Sequence, residues 1–285
     1  MDGMSGPGLQ TDAHDAALSA PALGCGPQAS QAQAQALDAR RDGIAWRICN
    51  ALQFVYALVW TVGWIMLALL VRPWSGPRAR LPLRMAARCW APGLLAGGPI
   101  RLQVEGRERI DFSRPCLFVA NHQSVIDICA LFQAIPVPLR FLLKEEMRRA
   151  PFVGWYACAT GMLFIVRDSV RAGALFRRQA AALLADGHSL CLFPEGTRSR
   201  SGAMAPFKAG SLQPAIDAGV DVVPVALHGT GQVLPVDGLF RARPGTIRVG
   251  FGAPLPTRVD GRPVARQALA EHAQARVQAM LDGWE

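Results

Sequence analysis

Apolar and polar positions divide the chain into three parts. Residues 1–38 consist mostly of Ala, Gln, Gly, Ser and Pro and contain scarcely any large apolar side chain. Such a segment buries too little apolar surface to offset the conformational entropy that it would lose on ordering. We predict a disordered N-terminal tail over residues 1–38, membrane-anchoring helices over residues 39–98 and an α/β domain over residues 99–285.

The second part begins with a long uncharged segment. Residues 51–71 contain no charged side chain, and Gln53 is the only strongly polar one. As a helix, this segment would be roughly 30 Å long, which is about the thickness of the hydrocarbon core of a bilayer. Tryptophans lie in or beside it, as they do at membrane interfaces: Trp46, Trp60, Trp64 and Trp74. The alternative, a buried helix of a soluble domain, is disfavoured by the length and the absence of charge.

Arginines on both sides of this segment indicate its orientation. Three precede it and five follow closely: Arg40, Arg41 and Arg47, then Arg72, Arg78, Arg80, Arg84 and Arg88. Because basic residues concentrate on the cytoplasmic side of membrane spans, we predict location at the inner (cytoplasmic) membrane with the C-terminal domain in the cytoplasm.

A second apolar segment, Leu81–Leu95, is interrupted by Arg84 and Arg88. These two arginines lie on one face if the segment is helical. Pro82 and Pro92 stand near its ends. We predict an amphipathic helix at the membrane interface and not a second full span.

Beyond residue 99, short apolar runs alternate with helical patterns. We predict strands at Ile100–Val104, Cys116–Ala120, Leu139–Leu143, Met162–Val166, Ser189–Phe193, Val222–Leu227 and Ile247–Phe251. We predict helices at Ser124–Ala134, Ala172–Ala185, Ser211–Ala218 and Val264–Leu281. This order is typical of an α/β fold with a central, mostly parallel or mixed sheet flanked by helices. Pro224 inside its strand suggests an edge strand or a position beside a ligand.

Charge and cysteine content limit the class of partner. The net charge is +9, and residues 1–46 contribute −3 (two Arg, five Asp), so the remainder carries +12. A basic domain favours anionic partners such as phosphorylated small molecules, an acidic protein or anionic lipid. No nucleic acid is expected, because the sequence has no zinc finger, RNP-type motif or basic run interleaved with aromatic residues. The seven cysteines form no C-x-x-C pair, which indicates small buried side chains and neither disulfides nor a metal site.

The strongest candidate for catalysis lies where a predicted strand becomes a helix. His122 follows the apolar run that ends at Ala120, and Asp127 comes five residues later, at the start of the next helix. Strand ends in α/β proteins leave a crevice, and a helix start offers free N–H groups. A neutral imidazole steadied by a carboxylate can remove a proton from a hydroxyl. In the simpler alternative, His122 caps the helix and Asp127 favours its positive end.

Three further strand ends carry cations. Lys144 and Arg167 each follow an apolar strand and could bind a phosphate, although either alone could be a solvated surface charge. After Phe193 comes a loop whose polar members are Glu195, Gly196, Thr197 and Arg198. Such a loop suits an oxyanion, and a surface turn with a salt-bridged Glu195 is the alternative.

Together these residues resemble the glycerolipid acyltransferases, and most closely the bacterial 1-acylglycerol-3-phosphate acyltransferases. Four blocks between about residues 100 and 230 carry the resemblance: Asn121–Asp127, Gly161–Arg167, Phe193–Arg198 and Val223–Val225. Val166 departs from the family, which often has a polar residue before the arginine.

The resemblance implies transfer of a fatty acyl group from acyl-CoA or acyl-carrier protein to the free hydroxyl of a lysophospholipid, giving phosphatidic acid in phospholipid biosynthesis. It implies His122 as base and Asp127 as its partner, with Lys144, Arg167, Glu195, Gly196, Thr197 and Arg198 at the acceptor. No metal and no cofactor beyond the acyl donor is expected. Glycerol-3-phosphate and lyso-ornithine lipid are alternative acceptors, and a non-catalytic lipid-binding protein or a hydrolase using His122 are further alternatives.

Overall fold

The structure, a computed structural model, describes residues 44–76, 79–166, 170–200, 202–236 and 242–284. Within these residues all the predicted strands form and join into a seven-stranded sheet. The predicted tail over residues 1–38 lies outside the described residues, and so does Arg167. The chain divides into units Met1–Arg47 and Ile48–Glu285. The contacts reported below belong to the second unit.

The strands and helices alternate as the sequence pattern predicts. The strands are β1 Ile100–Glu105, β2 Leu117–Ala120, β3 Leu139–Lys144, β4 Leu163–Ile165, β5 Ser189–Leu192, β6 Val222–His228 and β7 Gly245–Phe251, with a small hairpin of β8 Arg258–Val259 and β9 Arg262–Pro263. The helices are α1 Ile44–Val71, α2 Arg80–Met85, α3 Ala91–Ala96, α4 Asp127–Ala134, α5 Val153–Thr160, α6 Val170–Ala185, α7 Gln213–Ala218, α8 Thr230–Val233 and α9 Arg266–Asp282. A π-helical segment, Ala86–Trp90, joins α2 to α3. The helices α5 and α8 were not predicted from the sequence.

The sheet has the order β1-β7-β6-β2-β5-β3-β4. Strands β6, β2, β5, β3 and β4 run parallel, whereas β7 is antiparallel to β6 and parallel to β1. The mixed, mostly parallel sheet that the sequence predicts is therefore confirmed. Because five neighbouring strands point the same way, the residues that follow them meet at one edge of the sheet. We call it the carboxyl edge.

Pro224 lies in the middle of the sheet, and the prediction of an edge strand is wrong. Strand β6 pairs with β2 on one side and β7 on the other. Val225 is opposite Phe251 but Val222 is opposite Leu255. The segment that begins with β7 therefore has one residue more than β6 between these two pairs, beside Pro224. At such a bulge the ladder is interrupted, and a residue without an N–H can be accommodated.

Helices cover both faces of the sheet, so the strands are buried on both sides as parallel strands usually are. Phe118 and Ala120 of β2 pack with residues of α3 and α4 on one face. Leu117 and Val119 point the other way and pack with residues of α6, α7 and α9. Three of the described cysteines, Cys116, Cys129 and Cys191, are buried within these layers. Burial raises the pKa of the Cys129 thiol to about 12, which makes it inert.

Helix α1 forms where the uncharged segment predicts it. By length and composition, Trp46–Ser75 is the helix of the described residues that could cross a membrane, and only 11% of its most apolar window is buried in the protein. A buried core helix is therefore not the explanation of its composition. Leu52, Val55 and Val59 are each more than half exposed. This exposed apolar surface indicates membrane association.

Aromatic side chains attach α1 to the rest of the second unit. The Trp60 indole donates to the Trp90 carbonyl (3.0 Å), and the Trp90 indole donates to the Thr61 hydroxyl (3.1 Å). A side chain at Gly93 would collide with the Trp60 ring, so this glycine permits the close approach. Just after α1 ends, Arg72 donates to the carbonyl of Ala159 in α5 (2.6 Å), near the edge of the sheet opposite the carboxyl edge.

The segment Leu81–Leu95 is helical, but its apolar side does not face a membrane as predicted. Leu83 and Ala91 are fully buried in the core, and Leu95 is almost so. Arg84 and Arg88 are exposed, so the apolar face of this segment packs on the protein core and its basic face lies at the surface. A sequence pattern gives the apolar face of a helix but not what covers it.

Candidate active site

The catalytic candidate lies on the turn between β2 and α4, at the carboxyl edge. Asn121 fixes the start of this turn, because its buried side-chain amide exchanges two hydrogen bonds with the backbone of Leu227 in β6 (2.7 and 2.8 Å). An asparagine here satisfies one N–H and one carbonyl of the neighbouring strand where β2 has ended. The pair joins residues that are 106 positions apart in sequence.

His122 and Asp127 form a hydrogen bond. Nδ1 of His122 lies 2.7 Å from Oδ2 of Asp127, and the Asp127 side chain is completely buried. The same oxygen accepts from the backbone N–H groups of Gln123 (2.8 Å) and Ser124 (2.9 Å). The carboxylate therefore fixes both the conformation of the turn and the orientation of the imidazole. Since a carboxylate only accepts, Nδ1 carries the proton and Nε2 is left as the basic nitrogen.

The imidazole ring is held from its face by Phe193. The two rings are nearly parallel, at an interplanar angle of 12°, with centroids 3.9 Å apart. The His122 side chain is 18% exposed. Nε2 makes no hydrogen bond with any described residue. A base held by a carboxylate and an aromatic ring, with one nitrogen accessible, is arranged for proton transfer to a bound molecule.

The loop after β5 is attached to the same turn by Glu195. Its buried carboxylate accepts from the N–H of His122 (2.7 Å) and from the N–H of Ala205 (2.8 Å). Burial raises the pKa of Glu195, while these two hydrogen bonds oppose the shift. Ser199 donates its N–H to the His122 carbonyl (2.8 Å). Because both of its carboxylate oxygens accept backbone N–H groups, Glu195 holds the loop against the turn after β2.

Cations collect near His122 at the carboxyl edge. Arg198 is exposed, makes no hydrogen bond or ion pair with a described residue, and immediately precedes the Ser199 amide that bonds His122. Lys144 is exposed at the end of β3, two strands away from β2. At about 4.8 Å per strand, that separation is roughly 10 Å. Arg167, which follows β4, cannot be placed because it lies outside the described residues.

A further cation, Lys208, is absent from the sequence-based set. Gly196 has φ +79°, and a Cβ there would lie 2.8 Å from the Lys208 ammonium nitrogen. The glycine thus allows both the turn and the approach of this lysine over the loop. The backbone N–H of Lys208 donates to the Pro194 carbonyl (3.1 Å). The only sequence signal was its position shortly after the loop that follows β5 and carries Arg198 (residues 193–204), which we call the arginine loop. Thr197, beside Gly196, is exposed.

Several polar groups of the turn are engaged in the fold. The N–H groups of Gln123 and Ser124 are engaged by Asp127, so these two cannot hold an oxyanion. Val125 retains a backbone N–H without a partner among the described residues. The Ser124 hydroxyl is buried and donates to the Leu234 carbonyl (2.6 Å), so it has a structural role and is not a nucleophile.

An apolar cavity of about 150 Å³ lies beneath the site. Its walls come from α1 (Thr61–Ala68), the region of α2, helices α4 and α5, and β3. Phe141 lines the cavity and stacks with Phe193, at a centroid distance of 6.4 Å, and Phe193 in turn stacks on His122. The cavity is therefore next to the catalytic candidate. No group of three or more His, Cys, Asp or Glu side chains that could hold a metal occurs in the described part of the chain.

Comparison with known proteins is consistent with this geometry. A family model described as acyltransferase matches residues 101–228. The chain is 33% identical to the lyso-ornithine lipid O-acyltransferase of Pseudomonas aeruginosa over 230 residues, covering 73% of this chain and 87% of that protein. It is 37% identical to a 1-acyl-sn-glycerol-3-phosphate acyltransferase of Chlamydomonas reinhardtii over 174 residues, covering 60% of this chain and 52% of that protein.

A solved structure shares the fold. The crystal structure of the 1-acyl-sn-glycerophosphate acyltransferase from Thermotoga maritima superposes with a TM-score of 0.72 and 27% identity, covering 83% of this chain and 95% of that one. The chain spans about half the length of several curated relatives that it matches, from 44% to 61%.

Proposed function

Because the chain belongs to the acyltransferase family, we propose that it transfers a fatty acyl group from acyl-CoA or acyl-carrier protein to the free hydroxyl of 1-acylglycerol-3-phosphate. The product would be phosphatidic acid, an intermediate of phospholipid biosynthesis. The observation that carries this proposal is the 2.7 Å hydrogen bond between His122 and Asp127 at the carboxyl edge, beside exposed cations. The donor thioester is a co-substrate, and we propose that the reaction needs no metal or other cofactor.

In this mechanism His122 is the general base. Nε2 removes the proton of the acceptor hydroxyl as its oxygen attacks the thioester carbonyl carbon. A C–O bond forms, the C–S bond breaks, and the protonated imidazole gives its proton to the leaving thiolate sulfur. Asp127 keeps the proton on Nδ1 and stabilises the imidazolium that forms. The N–H of Val125 is our candidate for the oxyanion donor, since its two preceding neighbours are engaged.

The acceptor phosphate would bind to the cations of the carboxyl edge. Arg198 can bind it in bidentate fashion, and Lys144 and Lys208 add point charges. We keep Arg167 in this set from its place in the sequence after β4. Glu195, Gly196 and Thr197 shape the loop that presents Arg198, and Glu195 does so through the two hydrogen bonds to the backbone.

The apolar cavity would hold part of a fatty chain. Its wall includes α1, so the helix that contacts the bilayer also contacts the acyl chain. Helix α1 extends past the carboxyl edge, because Tyr56 donates to the Gly93 carbonyl (2.8 Å) shortly before β1 begins at that edge. A site facing the bilayer can take lysolipid from it. We propose attachment to the inner (cytoplasmic) membrane with the site on the cytoplasmic side.

An acceptor panel tests the proposal. Purified, detergent-solubilised full-length protein would be given palmitoyl-CoA with lysophosphatidic acid, glycerol-3-phosphate, lyso-ornithine lipid or no acceptor. We expect product mainly with lysophosphatidic acid. Hydrolysis without acceptor would favour a hydrolase, and no turnover with any acceptor would favour a lipid-binding protein. Lyso-ornithine lipid is the second candidate, because the relative that acts on it is 33% identical and 87% covered.

The variant Arg198→Ala separates these acceptors. Lyso-ornithine lipid has no phosphate, so loss of the guanidinium should lower kcat/KM for lysophosphatidic acid by about tenfold or more and change the ornithine acceptor little. Arg262→Ala, on the hairpin β8–β9, is the matched control for removing one exposed arginine. Equal losses on both acceptors would contradict phosphate binding by Arg198.

A further inference from the structure

A second cleft opens beside the turn that carries His122, between the arginine loop and helix α8. Its volume is about 700 Å³, and its walls come from the arginine loop, the end of β6, helix α8 and the last turns of α9. Polar side chains line it, including Gln123, Arg200, His228, Gln232 and Gln278. Strand β6 lies on one side of β2, whereas β5 and β3, which lead to Arg198 and Lys144, lie on the other.

The walls of this cleft are bonded directly to the catalytic turn. Gln123 is the residue after His122, and its side chain donates to the Gly202 carbonyl across the cleft (3.4 Å). The loop wall is joined to His122 by the Ser199 amide. The α8 wall is joined to the turn by the Ser124 hydroxyl, which donates to the Leu234 carbonyl. The walls of the cleft are therefore held in place relative to the backbone of the turn that carries His122.

The surroundings of the His122 turn differ in chemistry from one side to the next. The cavity below is apolar and suits a hydrocarbon chain. The side toward β3 is cationic and suits a phosphate head group. The cleft toward β6 is polar, wide, rich in side-chain amides and provided with Arg200. The last turns of α9 form one of its walls, and no described residue of α1 lines it.

We infer that the cleft binds the phosphopantetheine arm of the acyl donor. This inference rests on the proposed function, because it assumes a thioester donor. The arm carries two amide groups, which glutamine side chains complement, and a phosphate, which Arg200 complements. The thioester lies at His122, the fatty chain points into the apolar cavity, and the thiol leaves through the cleft. Coenzyme A and acyl-carrier protein share this arm.

Two substitutions at Gly231 test the assignment. Gly231 lines the cleft, and a Cβ there would meet Gln123 at an ordinary contact distance of 3.5 Å. Gly231→Ala should therefore be tolerated, whereas Gly231→Phe should project a ring into the cleft. We expect Gly231→Phe to weaken the binding of coenzyme A, measured by calorimetry on the full-length protein, by about tenfold or more, and Gly231→Ala to leave it unchanged.

A second pair of substitutions, at Gln232, tests the charge of the cleft and not its volume. Gln232 is exposed on α8, so Gln232→Glu and Gln232→Lys should both fold. They should shift coenzyme A affinity in opposite directions, weaker for Glu and tighter for Lys, because the arm is anionic. Gln267→Glu and Gln267→Lys, on exposed α9 surface outside the cleft, are the matched controls and should change nothing.

The outcomes separate the donor site from the proposed acceptor. If Gly231→Phe and Gln232→Glu bind coenzyme A more weakly than the wild type, or holo-acyl-carrier protein more weakly, the result supports donor binding in the cleft. The probe that is affected identifies the source of the arm. The wild type could transfer nothing to lysophosphatidic acid while Gly231→Phe still lowers the affinity for coenzyme A. In that case the proposed function fails, and the assignment of the cleft to the donor arm is supported. Equal affinity of the wild type, Gly231→Phe and Gln232→Glu for both probes would overturn the inference, and so would wild-type protein that binds neither probe.

Discussion

At the scale of single residues, the Asp127 carboxylate holds together both the imidazole of His122 and the backbone of the turn. One of its oxygens accepts from an imidazole and two backbone amides, so this carboxylate sets both the tautomer of His122 and the shape of the turn. The other oxygen, Oδ1, is buried and has no hydrogen-bond donor among the described residues. Such a group tolerates little chemical change, because any replacement must keep three donors satisfied.

We predict that Asp127→Asn lowers kcat by about 10²- to 10⁴-fold. The amide oxygen can still accept the three hydrogen bonds, but it has no charge to stabilise the imidazolium. Turnover of lysophosphatidic acid would be measured beside Asp217→Asn, an exposed aspartate of α7 that serves as control. A near-normal kcat in Asp127→Asn protein would show that the pair is not the catalytic base.

At the scale of elements, the arginine loop is positioned by contacts with other elements more than by its own sequence. Glu195 connects the turn after β2 to the segment that carries Ala205. Desolvation of this carboxylate is the largest cause of its raised pKa. The protein thus keeps an ionisable group where it costs stability, at the place where the loop must be fixed.

The pH dependence of stability tests this role of Glu195. A raised pKa in the folded state means that folding favours the protonated carboxyl. The corresponding stabilisation is fully present below the unfolded value, about 4.3, and is lost as the pH rises through the folded pKa. Relative to Glu195→Gln, the wild type should therefore lose stability from acid to neutral pH.

Thermal unfolding midpoints of the detergent-solubilised wild type and Glu195→Gln, compared across this pH range, measure that difference. Glu146→Gln, at an exposed position after β3, is the control and should show no such dependence. A wild-type advantage that grows toward neutral pH would contradict the assignment.

Helix α1 is the second element whose role follows from its contacts. Ala68 is buried and lines the apolar cavity, whereas its neighbour Leu67 is exposed. We predict that Ala68→Phe shifts the preference toward shorter acyl donors by filling the cavity, with an overpacking cost of about 1–3 kcal/mol in stability. The measurement is the ratio of kcat/KM for short- and long-chain acyl-CoA, and Leu67→Phe is the control. An unchanged ratio in active Ala68→Phe protein would show that the cavity does not hold the chain.

At the scale of the whole molecule, the direction of the strands decides what the enzyme can do. The parallel block brings the His122 turn, the arginine loop and Lys144 to the carboxyl edge. Tyr56 of helix α1 contacts Gly93 near that edge, and Arg72, just after the helix, contacts Ala159 near the opposite one. Exposed apolar side chains follow α1 along both halves, from Leu52 to Leu70, so the helix offers an apolar surface that reaches the edge of the catalytic candidate.

Three exposed residues of α1 test membrane attachment without affecting the cavity. Leu52, Val55 and Val59 are exposed by 64%, 54% and 65%. We predict that replacing all three by Glu releases the protein from membranes, since each charge costs about 2.5–3.5 kcal/mol in a bilayer centre. Fractionation after an alkaline wash is the measurement, and the triple Ala variant is the control. Undiminished membrane retention of the Glu variant would argue against this helix as the anchor.

The sequence alone determined the features that depend on neighbours along the chain. Alternating apolar runs identified the seven strands, the uncharged segment identified α1, and the spacing of His122 and Asp127 identified their hydrogen bond, because five residues form a single tight turn. Strand ends, which a sequence pattern can locate, also indicated Lys144, Arg167 and the loop that carries Arg198, while the family resemblance implied their roles.

Only the tertiary structure decided what depends on distant segments. It placed Pro224 at a bulge inside the sheet, buried the apolar side of the segment Leu81–Leu95, and brought Lys208 over Gly196. It also stacked Phe193 on His122, and joined Asn121 to Leu227 across 106 residues. The physical reason is that periodicity encodes which face of an element is apolar, while the identity of its partner is set by packing the whole chain.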